Sequence, residues 1–113
     1  MDQAVILSTS RTPIGKAYRG TFNDTDAPTL ASYAINSSIA KAGIDPSEVE
    51  DVIMGAAVQQ GTQGYNIGRL SAAASGLPSH VPGMSVDRQC ASGLMAIAIG
   101  AKQIACNEMD IVI

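Results

Sequence analysis

The chain alternates between short apolar runs and longer stretches in which apolar residues recur at helical spacing. Four apolar runs predict strands, at residues 4–7, 51–58, 83–86 and 109–113. Three stretches between them predict helices, at residues 26–42, 67–75 and 90–105. This alternation of strand and helix is typical of an α/β layered domain with a largely parallel sheet.

Capping residues mark the ends of the first predicted helix. Asp26 and Pro28 are typical of a helix start, and Gly43 is typical of the residue that follows a helix. Asp45 and Glu48 are spaced as in a capping box, which predicts one further helical turn.

The predicted helix at residues 90–105 is apolar nearly all round. Between residues 94 and 101 it contains no charged or polar side chain. A helix of this kind is usually buried, and about 20 such residues are needed to span a membrane. We therefore expect a buried helix within a soluble domain, with Cys90 at or near its first residue.

This position makes Cys90 the candidate nucleophile. The first N–H groups of a helix have no intrahelical partner, and together with the helix dipole they favour negative charge. They favour the nucleophilic thiolate form of a cysteine and can donate hydrogen bonds to an oxyanion. Gly93 leaves space in the first turn for a substrate. The alternative, a cysteine that acts as a small buried hydrophobe, stays open on the residues alone.

Composition bounds the class of protein. The 113 residues are 46% hydrophobic and 15% charged, which suits one small domain with a substantial core. The net charge of −3 and the lack of a lysine/arginine cluster argue against a nucleic-acid partner. The chain shows no secretory signal and no membrane-spanning run, so we expect a cytoplasmic location. A matrix or peroxisomal location stays open.

The two cysteines are expected to be free thiols. Cys90 and Cys106 lie 16 residues apart in one predicted helix, a rise of about 24 Å, which is too far for a disulfide. Free thiols fit a reducing compartment, and two cysteines with the single histidine, His80, do not make a zinc site. We expect Cys106 to be a core residue and His80 to be solvated in a loop.

Two predicted loops carry candidate binding residues. Arg11, Lys16 and Arg19 lie in the connection between residues 11 and 25, and they either are solvated or contact an anionic substrate group. The loop at residues 59–66 is rich in glycine and glutamine. It is either a flexible surface loop or a loop that serves a site.

Residues 87–93, Asp-Arg-Gln-Cys-Ala-Ser-Gly, resemble the nucleophile motif of the thiolases, commonly Asn-Arg-x-Cys-Ser/Ala-Ser-Gly. Residues 11–16, Arg-Thr-Pro-Ile-Gly-Lys, resemble the N-terminal segment of that family, and residues 51–55 and 61–69 match it in order and spacing. The resemblance covers all 113 residues. Asp87 departs from the usual asparagine, and its negative charge would oppose a thiolate if it faced the sulfur.

The resemblance implies a fold and an activity. The fold would be the first part of the N-terminal half of the layered thiolase fold, with a mostly parallel mixed sheet around a buried helix that starts at Cys90. The activity would be acyl transfer between 3-ketoacyl-CoA, acetyl-CoA and coenzyme A, with Cys90 as nucleophile and bearer of an acyl-thioester intermediate. Coenzyme A thioesters would be substrates, with no bound cofactor and no metal. A homodimer or homotetramer is implied, with the loop at residues 59–66 at the dimer interface.

The resemblance also implies that residues 1–113 are an incomplete N-terminal thiolase domain. The chain ends within a predicted strand, and the family's basic histidine, second cysteine and coenzyme A loop domain would come later. The isolated chain is then expected to need the remaining C-terminal part of the enzyme for activity. Residues 11–16 favour a 3-ketoacyl-CoA thiolase over an acetoacetyl-CoA-specific acetyltransferase. The alternatives are a noncatalytic interaction module and a redox sensor that uses Cys90, although no resolving cysteine is in reach.

Overall fold

The computed structural model describes residues 3–113, which form three helices and two short strands. In chain order these are α1 Ala27–Ala42, β1 Ile53–Gly55, α2 Ile67–Ala74, β2 Met84–Val86 and α3 Ser92–Ala105. Short 3₁₀ turns, Pro46–Glu48 and Gly61–Gln63, lie in the connections. Met1 and Asp2, which begin the segment expected not to be a secretory signal, lie outside the described residues.

The first helix confirms the prediction from its capping residues. The Asp26 carboxylate accepts a hydrogen bond of 2.7 Å from the Thr29 N–H at the start of α1. Gly43 ends the helix at a φ of 68°, a left-handed conformation that glycine adopts without a Cβ penalty. The capping box of Asp45 and Glu48 is also present, around the turn Pro46–Glu48.

The sheet is small and parallel. β1 pairs with β2 in the register Ile53↔Met84, Met54↔Ser85 and Gly55↔Val86. Residues 111–113 lie beside β1 and run in the same direction. Asp51 and Val112 form a parallel bridge, and the Ile53 N–H donates to the Ile113 carbonyl at 2.7 Å. The strand predicted at residues 51–58 is therefore real but shorter, and Val58 is exposed.

The hydrophobic core lies where α1 and α2 pack against each other and against the segment leading into β1. Its buried members are Ile35, Ile39, Val49, Val52, Ala72, Leu77 and Val81. Ile44, Ile111 and Ile113 pack around them and are partly buried. The apolar positions of the first two helices thus supply the core that their spacing predicts.

Close backbone packing joins α2 to β2. A Cβ atom on Gly68 would come within 3.0 Å of the Met84 backbone, and one on Gly83 would meet the Arg69 backbone as closely. Asn66 caps α2 by accepting from the Arg69 N–H at 3.2 Å, while its amide donates to the Gly83 carbonyl at 2.8 Å. This contact fixes the start of β2, and through it the approach of the chain to Cys90.

The strand predicted at residues 4–7 is wrong in both pairing and burial. The segment has no strand partner among residues 3–113, and the side chains of Val5, Ile6 and Leu7 are exposed. Side-chain hydrogen bonds hold this region to α1 instead, among them Ser8 Oγ to the Ser38 carbonyl at 2.7 Å. The composition of this apolar run is typical of a buried strand, but a cavity of about 690 Å³ separates the run from β1 and residues 110–113.

The prediction that the third helix is buried all round is also wrong. One stripe of α3, formed by Ser92, Ala96 and Gly100 at a spacing of four residues, is buried against the sheet. On the other side, Leu94 and Ile97 are 72% and 60% exposed. The described chain covers only one face of α3, so apolar residues on the remaining face meet solvent.

None of the helices formed by residues 3–113 is long and apolar enough to cross a membrane.

Candidate active site

Cys90 lies in the turn that leads from β2 into α3. β2 ends at Val86, whose carbonyl accepts a hydrogen bond of 3.0 Å from the Ala56 N–H. α3 begins at Ser92, so the helix start predicted at Cys90 is two residues early. The cysteine is a free thiol and is exposed, so residues 3–113 do not bury it as a small hydrophobe.

A left-handed residue lies in the turn before α3. Gln89 has a φ of 50°, outside the helical region, and a non-glycine residue in this conformation costs about 1–2 kcal/mol. The Asp87 carboxylate oxygen Oδ1 offsets part of this cost by accepting a hydrogen bond of 2.8 Å from the Gln89 N–H. One oxygen of the unusual Asp87 is therefore bonded to the backbone of the turn.

Ser92 closes the same turn from the helix side. Its hydroxyl accepts from the Arg88 N–H at 2.9 Å and donates to the Gln89 carbonyl at 2.6 Å. The side chain is only 4% exposed, although Cys90 two residues earlier is exposed. A buried hydroxyl with both a donor and an acceptor partner is fully satisfied, so it favours one arrangement of the turn.

Two glycines shape the space around the turn in opposite ways. A Cβ atom on Gly55 would come within 3.0 Å of the Ser92 carbonyl, so β1 and the first turn of α3 are in backbone contact. A Cβ atom on Gly93 would meet nothing within 4 Å. The turn is thus fixed on the sheet side, and the space beside Gly93 is not filled by any of residues 3–113.

The helix end beside Cys90 favours negative charge. Ala91 precedes α3 without a side-chain hydrogen bond to the helix, and the first turn carries no acidic residue. The helix dipole and the unpartnered N–H groups therefore meet no competing carboxylate in that turn. Such an arrangement can donate hydrogen bonds to the oxygen of a bound acyl group.

Cys106 does not lie in the core, and the expectation that it does is wrong. α3 ends at Ala105, and Cys106 is the exposed residue that follows it. The chain then turns away through Asn107, which has a φ of 57°. The two free thiols therefore lie at opposite ends of one helix, with only Cys90 at the end that favours negative charge.

The loop at residues 11–25 contributes one charged residue, Arg11, to a cavity that Cys90 does not line. Arg11 and Lys41 line a space of about 600 Å³ between residues 10–25 and α1. Lys16 and Arg19 are exposed and do not line it. Contact between this loop and an anionic substrate group stays a prediction. His80 is exposed, in agreement with a solvated loop position.

The loop at residues 59–66 is mostly exposed and leads into α2 through Tyr65 and Asn66, both with positive φ. Its role at a dimer interface stays a prediction. Within residues 3–113, no group of histidine, cysteine and carboxylate side chains is arranged to hold a metal ion.

The roles of two site residues, Ser92 and Gly55, were not predicted from the pattern of hydrophobic and polar positions. The hydroxyl of Ser92 is the centre of the turn, and Gly55 permits the contact between β1 and α3. A serine two residues after a candidate nucleophile and a glycine at the end of a strand were the available signals. Both depend on contacts between segments far apart in the chain, which hydrophobic spacing does not report.

Comparison with known proteins gives one family. The family model described as "Thiolase, N-terminal domain" matches residues 4–113. A "3-ketoacyl-CoA thiolase" of Bacillus subtilis is 36% identical over 110 residues, which is 97% of this chain. A "Probable acetyl-CoA acyltransferase" of Staphylococcus aureus is 39% identical, and an "Acetyl-CoA acetyltransferase" of Cupriavidus necator is 36% identical, each over all 113 residues. The chain spans about 28% of the length of each of these relatives.

Proposed function

This chain belongs to the thiolase family, and we propose that its protein is an acyl-CoA:acetyl-CoA C-acyltransferase with Cys90 as the nucleophile. The observation that carries the proposal is the exposed thiol in a fixed turn at the N-terminal end of α3, open on the side of Gly93. We propose coenzyme A thioesters as substrates, which the family relationship supports, and no bound cofactor.

The proposed reaction proceeds in two steps. The Cys90 thiolate attacks the keto carbon, C3, of a 3-ketoacyl-CoA, and the bond between C3 and C2, the carbon next to the thioester, breaks. The electron pair leaves with acetyl-CoA and takes up a proton, while the acyl group stays on Cys90 as a thioester. The thiol of a second coenzyme A, deprotonated by a base, then attacks this thioester and restores the Cys90 thiolate. Dividing one difficult step into two easier ones is the advantage of covalent catalysis.

The proposed enzyme needs more protein than residues 1–113. The resemblance assigns the activating base and the second cysteine to positions outside this chain. Val5, Ile6, Leu7 and Ile97 are exposed and line one cavity, and this apolar surface supports a further protein partner, because contiguous exposed apolar residues mark sites that other protein covers. We propose that the remaining C-terminal part of the enzyme covers this surface and that the isolated chain does not turn over substrate.

Acetylation of Cys90 tests the proposed role directly. The protein purified at its natural length is incubated with acetyl-CoA, digested without reductant and mapped by mass spectrometry. We expect one acetyl group on the Cys90 peptide and none on the Cys106 peptide. Cys90→Ser should abolish the adduct and Cys106→Ser should leave it unchanged. Acetylation that is absent, or equal at both thiols, would contradict the assignment of Cys90.

The preferred acyl chain is a separate question. Relatives named 3-ketoacyl-CoA thiolase and acetyl-CoA acetyltransferase are both 36% identical to this chain, so identity does not distinguish them. Residues 11–16 favour the first. Thiolysis rates with acetoacetyl-CoA and with longer 3-ketoacyl-CoA substrates decide it, and activity confined to acetoacetyl-CoA would identify the acetyltransferase.

The second candidate function is a noncatalytic interaction module, which the same apolar surface favours. We propose a homodimer or homotetramer in the cytoplasm for the enzyme. A protein that associates through this surface but is never acetylated on Cys90 would instead be a module. Sedimentation of the natural-length protein measures association, and peptide mapping measures acetylation of Cys90. The enzyme should show both association and acetylation, whereas the module should show association alone.

A further inference from the structure

One buried hydroxyl makes two of the hydrogen bonds that hold the turn before α3, beside those of the Asp87 carboxylate and the backbone. Ser92 accepts a hydrogen bond from the Arg88 N–H and donates one to the Gln89 carbonyl, so it bonds the backbone on both sides of the peptide that joins those residues. Gln89 is left-handed, and Cys90 follows it directly. The direction in which Cys90 leaves the turn is therefore set by a conformation that Ser92 stabilises.

We propose that Ser92 is a positioning residue for Cys90, which holds the thiol at the N-terminal end of α3 without touching substrate. The inference rests on the proposed role of Cys90 for its catalytic meaning. Removal of the hydroxyl leaves the Arg88 N–H without its acceptor, and the Gln89 carbonyl loses its bond of 2.6 Å and keeps only the one of 3.1 Å from the Ser92 backbone N–H. Gln89 can then relax from its left-handed conformation, which moves Cys90 away from the helix end.

The two thiols that flank α3, Cys90 and Cys106, allow the effect of Ser92 on Cys90 to be measured. Iodoacetamide reacts with thiolates, so the ratio of its rates at Cys90 and Cys106 reports how far the helix end activates Cys90. Peptide mapping gives both rates in the same sample of natural-length protein. For Ser92→Ala we expect this ratio to fall about five- to tenfold, the equivalent of one or two ordinary hydrogen bonds. A ratio that is unchanged or raised overturns the proposal.

Two variants separate positioning from general stability. Ser75→Ala removes a comparable hydroxyl, which donates to the Ser71 carbonyl at 2.7 Å at the end of α2. It should lower stability without changing the ratio. Ser92→Thr keeps the hydroxyl and should restore the ratio to within about twofold of the original, since the same hydrogen bonds can form. A specific role for Ser92 is contradicted if Ser75→Ala lowers the ratio of alkylation rates, or if a folded Ser92→Thr does not restore it.

Hydrogen exchange tests the same contact without any substitution. The Arg88 side of the turn is exposed, yet its backbone N–H is bonded to Ser92 and should exchange more slowly than an unbonded amide. Exchange at the rate of a free amide overturns the proposal even if Ser92→Ala does not fold.

Acetylation in the same variants keeps the two hypotheses apart. If Ser92→Ala lowers the alkylation ratio but the original protein is never acetylated, positioning stands and the proposed enzyme fails. If the original protein is acetylated and Ser92→Ala changes neither alkylation nor acetylation, the enzyme stands and positioning by Ser92 fails.

Discussion

Gly55, the last residue of β1, lies in backbone contact with Ser92, the first residue of α3. A Cβ atom on Gly55 would come within 3.0 Å of both the carbonyl carbon and the carbonyl oxygen of Ser92. Backbone cannot move aside as the end of a flexible side chain can, so the sheet and the turn that carries Cys90 are held at one separation. Stability and the geometry at Cys90 are therefore coupled at this contact.

Gly55→Ala should destabilise the protein and disturb Cys90 together. Overpacking of this kind costs about 1–3 kcal/mol, because the added methyl forces a backbone shift. Urea unfolding measures the loss of stability, and alkylation of Cys90 relative to Cys106 measures the disturbance of the turn. Unchanged stability would mean that β1 and α3 separate at little cost.

Gly93→Ala is the matched substitution on the open side of the same turn. A Cβ atom there meets nothing within 4 Å, so the free energy of unfolding should be unchanged or raised by about 0.5–1 kcal/mol, as alanine replaces glycine in a helix. Acetylation of Cys90 by acetyl-CoA should slow, because the methyl group narrows the approach to the thiol. Full acetylation in this variant would show that substrate arrives from another side.

Arg69 on α2 should be important for stability. Its guanidinium donates to the Val81 carbonyl at 2.6 Å and the Ser79 carbonyl at 3.4 Å, which ties α2 to the segment before β2. Arg69→Ala should cost about 1.5–3 kcal/mol, the usual range for a hydrogen bond that involves a charged group. Urea unfolding measures it. Arg19→Ala, which changes an exposed arginine in the N-terminal loop, should be neutral, and equal effects would contradict the role of the hydrogen bonds.

Glu50 should make stability depend on pH in the acid range. Its carboxylate accepts hydrogen bonds from the N–H groups of Asp110 and Ile111, which lower its pKa below the ordinary value of 4.5. A group with a lower pKa in the folded state stabilises fully above its unfolded pKa and loses that contribution as pH falls through the folded pKa. Its contribution should therefore be complete above about pH 5 and decline below the ordinary value.

Glu50→Gln isolates this contribution. The free energy of unfolding of the original protein should exceed that of the variant near neutral pH, and the two should converge as the pH falls below 4.5. Asp26 and Asp45 also have lowered pKa values, caused by the backbone N–H groups of Thr29 and Ser47, but they are present in both proteins and cancel in the difference. A difference that grows toward acid pH would reverse the sign and refute the argument.

Elements whose signals are local were predictable from the sequence. α1 begins and ends where Asp26 and Gly43 indicate, because capping depends on neighbours within one turn. The position of Cys90 beside the start of α3 followed from the same kind of reasoning, within two residues. The helix starts later than predicted because the Ala91 and Ser92 N–H groups bond to carbonyls of the preceding turn, and these bonds are not visible in the hydrophobic pattern.

Burial was the less predictable property. The run at residues 4–7 and the apolar residues Leu94 and Ile97 have the composition of buried segments, yet they are exposed. Hydrophobic composition reports that a segment can be covered, whereas exposure depends on whether another segment covers it. Cys106 follows the same rule, because its position just beyond the end of α3 outweighs the tendency of cysteine to be buried.

The parallel pairing beside β1 also constrains the order of folding. Glu50 bonds to Ile111, 61 residues later in the chain. During synthesis, this side of β1 stays unpaired until those distant residues have left the ribosome, and closing so long a loop carries a cost in chain entropy. An unpaired strand edge can pair with a strand of another chain, which leads to aggregation. The edge of β1 that residues 111–113 cover is therefore unpaired throughout the interval between the synthesis of β1 and that of residues 111–113.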